Sequence, residues 1–472
     1  MSNSYQFGMI GLGVMGRNFL LNMADHGYKV IGFDKDNTKT TALETAATAG
    51  TTVKGVGTLQ EMVELLETPR KIMMLVPAGK PVDDVIESLL PLVQPGDIII
   101  DGGNSHFTDT LRRVEYLKAK GLHFTGMGVS GGEEGARKGP SIMPGGDAEA
   151  YPYLKPMLEA VSAKVNNEPC VAYMGKGAAG HYVKMVHNGI EYAIMQLISE
   201  AYDLLHRGLG LNNDELHETF KQWNEGELQS FLIEITADIF KQRDDKTGNR
   251  LVDMILDKAG SKGTGKWTSQ DAMNLPAPIP VIDMAVSMRN ISSLKEERMV
   301  AAALYNPQIK SIAAKKEVVI KQVHDALYFA TIMCYAQGLA MLHSASTELD
   351  MQIPLADVVK IWRGGCIIRS GLLETFYKAH KKNKQLHNIL ADKAVARLVK
   401  KKEKNLRAVL KLSLQSKIPT GALMSSLSYF EAYTTAIMPV NLIQAQRDYF
   451  GAHTYQRTDL EGTFHTEWGR EA

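Results

Sequence analysis

Lys184, His187, Asn188 and Glu191 fall at i, i+3, i+4 and i+7 in the segment KMVHNGIEY. At 3.6 residues per helical turn, that spacing puts all four on one stripe of one helix. The continuation AIMQLISEAYDLL carries an apolar face, so burial explains most of the segment but not these four side chains. An amine, an imidazole, an amide and a carboxylate along one face can bind a small polar ligand and exchange protons with it.

Up to about residue 178, short β-rich runs alternate with helical segments. FGMIG, KVIGFD, KIMMLVP, DIIIDGG, HFTGMGVSGG and CVAYMG are the strand candidates, and the alternation predicts an open parallel sheet. Beyond residue 178 the strand signals vanish and amphipathic helical patterns run to the end. This second part repeats itself. KMVHNGIEY resembles KQVHDALYF at 321–329, and FKQWNEGELQSFLIE at 220–234 resembles VKIWRGGCIIRSGLLE at 359–374, with offsets of 137 to 140. Such close offsets indicate a duplicated helical unit. Lys184 and His187 recur as Lys321 and His324, whereas Asn188 becomes Asp325 and Glu191 becomes Tyr328. Only the first copy carries the full polar stripe, which points to chemistry rather than folding.

GLGVMG, Gly11 to Gly16, matches G-x-G-x-x-G between a strand pattern and a helix pattern. Gly11 and Gly13 permit a tight turn and close backbone approach, and Gly16 permits helix–strand packing. The helix amino terminus then offers N–H groups to a pyrophosphate. The second strand ends in Asp34, at the distance expected of the acid that bonds the ribose of a dinucleotide. An acid there accepts hydrogen bonds from the ribose hydroxyls of NAD and repels the 2′-phosphate of NADP, whereas Lys35 and Lys39 could attract it. Asp36 tilts the balance towards NAD without settling it, and Lys39 reads as a solvated loop residue.

DGGNS (101–105) and GVSGGEEGARKG (128–139) follow strand patterns, so both sit where ligands bind in doubly wound sheets. Glycine pairs admit a ligand close to the backbone, and Asn104 and Ser130 can bond its hydroxyls or carboxylate.

Together GLGVMGRN, DGGNS, GVSGGEEGARKGPSIMPGG, KMVHNGIEY, SKGTGKWT and DYFGAHTYQRTDLEGTFHTEW resemble the decarboxylating 6-phosphogluconate dehydrogenase family, in order and over nearly the whole chain. The resemblance implies an α/β Rossmann-like domain over 1–178 and a large all-α domain over 179–435, with repeats near 184–315 and 321–435. It further implies a tail, 436–472, inserted into the partner of a homodimer. Implied too is the oxidative decarboxylation of 6-phosphogluconate to ribulose 5-phosphate, with NADP or NAD as cofactor and no metal. By resemblance Lys184 is the general base, Glu191 the acid that protonates the enediol, and Asn188 and His187 orient the substrate. For His187 a purely structural role stays open, because His324 recurs. Asn104, Ser130, Gly131 and Gly132 would hold the substrate carboxylate and hydroxyls. Tyr192, Lys262 and Arg289 would hold its phosphate, completed by Arg447 and His453 of the partner subunit. Cofactor contacts would come from Gly11, Gly13, Met15, Gly16, Asp34, Lys35, Val76 and Asn104. The family's NADP form carries Asn-Arg-Thr where this chain has Asp34, Lys35 and Asp36, so appreciable use of NAD is expected.

The bounds agree. In 472 residues, 53 Lys and Arg balance 52 Asp and Glu, and no basic stripe suggests nucleic acid. Cys170, Cys334 and Cys366 lack disulfide or metal spacing, which fits a reducing compartment. With no signal-peptide pattern and no apolar run read as membrane-spanning, the expectation is a cytoplasmic protein away from membranes. Two alternatives are a shorter β-hydroxyacid dehydrogenase, disfavoured by the second repeat and tail, and a non-catalytic dinucleotide sensor, disfavoured by the presence of Lys184 and Glu191.

Overall fold

The computed structural model describes residues 4–261 and 263–469. The chain forms two compact units, Met1–Ser426 and Leu427–Ala472.

In the larger unit seven strands form one sheet: β1 (Phe7–Ile10), β2 (Val30–Phe33), β3 (Val53–Val56), β4 (Lys71–Met74), β5 (Ile98–Asp101), β6 (His123–Ser130) and β7 (Ser141–Gly146). Their order is β3-β2-β1-β4-β5-β6-β7. β1, β4 and β5 are buried on both faces, as the unbroken apolar runs FGMI, IMM and III require. Helices on either face bury two separate apolar clusters, one around Phe7, Met9 and Phe19, the other around Ile10, Ile72 and Ile99.

Three sequence expectations need correction. Val53–Val56 is an edge strand that the weak pattern TTVKGVG concealed. Ser141–Gly146 pairs antiparallel with β6, so the sheet is mixed rather than all parallel. Its Pro144 and two glycines give it no strand signal, yet an edge strand tolerates Pro. A Cβ on Gly145 would lie 2.2 Å from the backbone N of Gly180, so the residue is small for the sake of the helix that crosses it. CVAYMG is no ladder strand, since only Val171 bridges, to Ile142.

The striped helix runs from Ala179 to Asp203 and closes in a π turn, Leu204–Gly208. The corresponding helix of the second repeat, Lys316–Glu348, crosses it where a Cβ on Gly338 would meet Ile190 at 2.5 Å. At 33 residues and a peak hydropathy of 1.2, this helix does reach membrane-spanning length, contrary to the sequence reading. Of its most apolar window 89% is buried within the protein, which accounts for the hydropathy.

The two repeats brace each other reciprocally. Ser230 pairs antiparallel with its counterpart Ser370. Glu200 of the first long helix accepts the backbone N–H groups of Ala422 and Leu423, at the start of helix Gly421–Thr434. Gln337, 137 residues later, accepts the N–H of Val281 at the start of helix Pro280–Ser293. Each repeat thus caps a helix of the other.

Candidate active site

The fingerprint turn closes the carboxyl end of β1. Gly11 has φ +93°, and a Cβ there would lie 2.4 Å from the Leu75 carbonyl. Gly13 starts the helix Val14–Asp25 with open space above it, so a phosphate can approach the helix amino terminus. A cavity of about 470 Å³ opens here, at the switch between β1 and β4, with Gly11, Gly13, Asp34, Lys35, Lys39 and Val76 in its wall. Met15, Gly16 and Asn104 are not part of that wall. Gly16 packs against the Gly11 carbonyl.

Asp34 anchors the turn. Its Oδ2 accepts the N–H of Leu12 at 2.8 Å and its Oδ1 that of Asp36 at 3.0 Å. Lys39 lies 3.4 Å away. Burial opposes ionisation of Asp34, but these partners outweigh it and hold the pKa below the usual carboxylate value. Two sequence readings change here. Lys39 is not a solvated loop residue but belongs to helix Asn37–Thr45 and pairs with Asp34, and Asp36 is the N-cap of that helix, accepting the N–H of Thr38.

The striped helix passes across β6 and β7. A Cβ on Gly128 would stand 2.5 Å from Lys184 Cβ, so this glycine makes room for the lysine stem. Lys184 is 7% exposed. Burial lowers its pKa, opposed by the carboxylate of Glu191. Glu191 is raised by burial, opposed by Lys184 and Arg289. The pair is therefore poised so that the amine loses and the carboxyl keeps a proton more readily than either does in water.

His187 is fully buried. Its Nδ1 lies 3.1 Å from Asn188 Oδ1 and its Nε2 3.2 Å from Ser130 Oγ. An amide oxygen only accepts, so Nδ1 carries the proton and Nε2 accepts from the Ser130 hydroxyl. Burial and neighbouring Lys184 push its pKa well down, which keeps the ring neutral. The histidine therefore ties the helix to the SGG turn as well as to Asn188. Asn188 in turn donates to Thr264 Oγ1 at 3.1 Å. Gly131 at φ +119° and Gly132 at φ +64° form that turn, and Gly131 caps helix Gly132–Lys138. In the DGGNS turn, Asn104 is exposed between buried neighbours.

Tyr192 and Arg289 meet further along, with the guanidinium carbon 3.5 Å from the ring centroid. A Cβ on Gly265 would be 2.4 Å from the Tyr192 ring, so the first turn of helix Thr264–Asn274 packs directly on it. Lys262 lies outside the described residues. Arg447 and His453 belong to the smaller unit, on and just after helix Asn441–Gly451, where both are exposed. Arg447 bonds Gln444 at 3.1 Å, and His453 stands edge-on to Phe450.

The second repeat has no such site. Lys321 and Lys402 both bond Asp325 Oδ1, at 2.6 and 2.8 Å, and Asn405 donates to Oδ2. Burial opposes ionisation of Asp325, but Lys321, Lys402, His324 and Asn405 overcome it and hold the carboxylate ionised. Glu227, His324 and Asp325 could together face a cation, and the Lys402 ammonium occupies that position.

Sequence reasoning missed three contributors. His181 precedes Lys184 by three residues, in phase with the stripe, and that phase was the available signal. Trp362 and Cys366, from the second repeat, approach His187 and Lys184; only tertiary packing brings them there.

A doubly wound sheet with the dinucleotide fingerprint, joined to a duplicated helical domain that presents a buried lysine, defines a class: the two-domain nicotinamide-nucleotide dehydrogenases. Residues 6–176 match the NAD binding domain of 6-phosphogluconate dehydrogenase, and residues 180–468 match the C-terminal domain of the same enzyme. The chain belongs to the 6-phosphogluconate dehydrogenase family. It is 51% identical to the NADP(+)-dependent, decarboxylating 6-phosphogluconate dehydrogenase of Bacillus subtilis, covering 98% of this chain and 99% of that one. The decarboxylating enzyme of Escherichia coli K12 is 49% identical over 98% of this chain and 99% of its own. Among solved structures, Plasmodium falciparum 6-phosphogluconate dehydrogenase superposes with a TM-score of 0.95 at 44% identity, covering 98% of this chain and all of that one.

Proposed function

We propose that this enzyme oxidises and decarboxylates 6-phosphogluconate to ribulose 5-phosphate and carbon dioxide, reducing NADP or NAD. The observation that carries the reading is the buried Lys184 beside Glu191, on a helix held against the SGG turn through His187 and Ser130. Full-length relatives named for this reaction support it.

The cavity above Gly11 and Gly13, with Asp34 and Lys35 at its edge, suits a dinucleotide. Gly11, Gly13, Asp34 and Lys35 would hold the dinucleotide, whose nicotinamide would supply the hydride acceptor for carbon 3 of the substrate. Neutral Lys184 accepts the proton of the carbon 3 hydroxyl as that carbon becomes a ketone. The bond between carbons 1 and 2 then breaks. Carbon dioxide leaves, its bonding electrons form the enediol, and protonated Lys184 stabilises the charge growing on the carbonyl oxygen. Glu191 delivers a proton to the carbon that bore the carboxylate. Asn188, Asn104, Ser130, Gly131 and Gly132 hold the carboxylate and hydroxyls, and His187, bonded at both ring nitrogens, orients Asn188 and Ser130 for that task. Tyr192, Arg289 and Lys262 take the phosphate, for which a forked guanidinium is well matched.

The reading extends to a homodimer in which the carboxy-terminal tail reaches the partner and supplies Arg447 and His453. Exposed apolar side chains on the smaller unit favour a covering partner; Leu442, Ile443, Tyr449 and Phe450 are all more than half exposed. A cytoplasmic location suits three buried, unpaired cysteines. Reduction of NAD or NADP by the purified protein, dependent on 6-phosphogluconate and matched by carbon dioxide release, tests the activity. Failure with both cofactors overturns it. Mixing Arg447→Ala with Lys184→Ala subunits tests sharing, since heterodimers regain one working site only if the tail crosses over.

A further inference from the structure

One helical turn before Lys184, His181 is 2% exposed and bonded at both ring nitrogens. Nε2 lies 3.0 Å from the carbonyl oxygen of Asp101, and Nδ1 lies 2.7 Å from Thr110 Oγ1. A carbonyl can only accept, so Nε2 carries the proton and Nδ1 accepts from the Thr110 hydroxyl. Burial lowers the pKa of the ring and keeps this neutral form. The ring sits in a slot with no slack, because a Cβ on Gly126 would lie 2.9 Å from Nδ1.

What the ring touches is the base of the DGGNS turn. The Asp101 carboxylate accepts the N–H of Gly103 at 3.0 Å and the hydroxyl of Ser105 at 2.6 Å, the residues on either side of Asn104. Fully buried Arg113 lies 3.6 Å from the same carboxylate. It also donates to Asp83 and to the Gly79 carbonyl, in the connection following β4 on the cofactor side. A continuous chain of polar contacts, partly exposed at Asp83 and buried from Arg113 onward, therefore runs from the cofactor side, through the turn bearing Asn104, to the helix bearing Lys184.

We propose that His181 is a positioning residue: a neutral strut that fixes the helix of Lys184 against the Asp101–Ser105 turn, and so sets the amine relative to the substrate carbons held at Asn104. This rests on the functional reading above. Placement within a fraction of an ångström governs proton transfer, and a misplacement of about 1 Å costs on the order of 100-fold in rate.

The test compares three variants with wild type for kcat, KM, NADPH affinity by fluorescence, and the deuterium isotope effect with substrate labelled at carbon 3. His181→Leu removes both bonds, and its kcat is expected to fall by roughly 100-fold, with cofactor affinity within about twofold of wild type and a larger isotope effect. In His181→Gln the amide N–H reaches the Asp101 carbonyl, and most of the lost kcat returns. Thr110→Val spares the bond to the Asp101 carbonyl, removing the second bond together with the 3.3 Å contact of its hydroxyl to the His106 carbonyl, and lowers kcat less. If His181→Leu keeps kcat, or if His181→Gln is as impaired as His181→Leu, the strut is overturned. Should His181→Leu fail to fold, Thr110→Val decides, and unchanged kcat there overturns the proposal. Absence of turnover in wild type overturns the functional reading and the strut with it, whereas active wild type with unaffected variants overturns the strut alone.

Discussion

Trp362 of the second helical repeat stands edge-on to His187 of the first, with ring centroids 5.8 Å apart and planes at 72°. Trp223 of the first repeat meets His324 of the second in the same way, at 5.7 Å and 73°. Each repeat thus packs its tryptophan on the histidine of the other, but only His187 reaches a serine across the cleft. The two contacts should respond differently to mutation. Replacing either tryptophan by alanine is expected to destabilise the fold by about 3–5 kcal/mol. The milder Trp362→Phe should also raise KM for 6-phosphogluconate, whereas Trp223→Phe should leave KM unchanged. Thermal melts and steady-state kinetics on the two variants check this, and equal KM values in both would contradict the asymmetry.

Lys184 is assigned to both proton removal and charge stabilisation. Lys184→Ala should therefore lose several orders of magnitude in kcat while still binding NADPH. The pH dependence follows from burial. With the neutral amine as the proposed working form, kcat/KM is expected to fall as pH drops through the lowered pKa of Lys184. The Glu191 carboxylate holds that pKa up, so Glu191→Gln should move the acid limb of the profile to lower pH, besides slowing the final protonation. An acid limb that stays in place would separate Lys184 from the titration.

Glu200 ties the two repeats together while buried, and burial raises its pKa to about 7, against the N–H bonds from Ala422 and Leu423. Below the unfolded value of 4.5 the group is protonated in both states and carries no pH-dependent cost. As pH rises from there to 7 the unfolded chain releases its proton first, so stability falls, by up to about 3 kcal/mol. Glu200→Gln copies Gln337 at the equivalent place and should remove this loss. Denaturant melts at pH 5 and pH 8 should show a smaller difference in the variant than in wild type.

The proposed cofactor site makes Asp34 the residue on which the choice between NAD and NADP is expected to turn. With both carboxylate oxygens bonded to backbone N–H groups, it is fixed as an anion at the cavity edge. A ribose hydroxyl can still donate to it, in a charge-assisted bond worth roughly 1.5–3 kcal/mol, while a 2′-phosphate meets repulsion that Lys39 and Lys35 offset in part. Appreciable turnover with NAD is expected. Replacing Asp34, Lys35 and Asp36 together by Asn, Arg and Thr should shift the ratio of kcat/KM towards NADP. A wild type already strongly selective for NADP, and a ratio little changed in the variant, would contradict the role given to Asp34.

The helical stripe, the fingerprint turn and the duplicated half were legible in the sequence because each depends on local periodicity or on the stereochemistry of glycine. A period of 3.6 puts Lys184, His187, Asn188 and Glu191 on one face whatever surrounds them. Gly11 is required by its own positive φ and by the nearby Leu75 carbonyl. Tertiary structure decided the rest. Ser141–Gly146 became a strand because β6 offered an edge, although its own residues favour a turn. Lys39, still partly exposed, pairs with Asp34 because the helix that starts at Asn37 turns it back towards the end of β2. His181, in phase with the stripe, turned out to bond the DGGNS turn, and Trp362 came from 175 residues away to pack on His187. Such pairings carry no periodic signal, because they depend on which backbone surfaces meet. Here that was set by small residues, Gly126, Gly128, Gly145 and Gly180, which let a helix lie against the sheet with its polar side chains in the cleft.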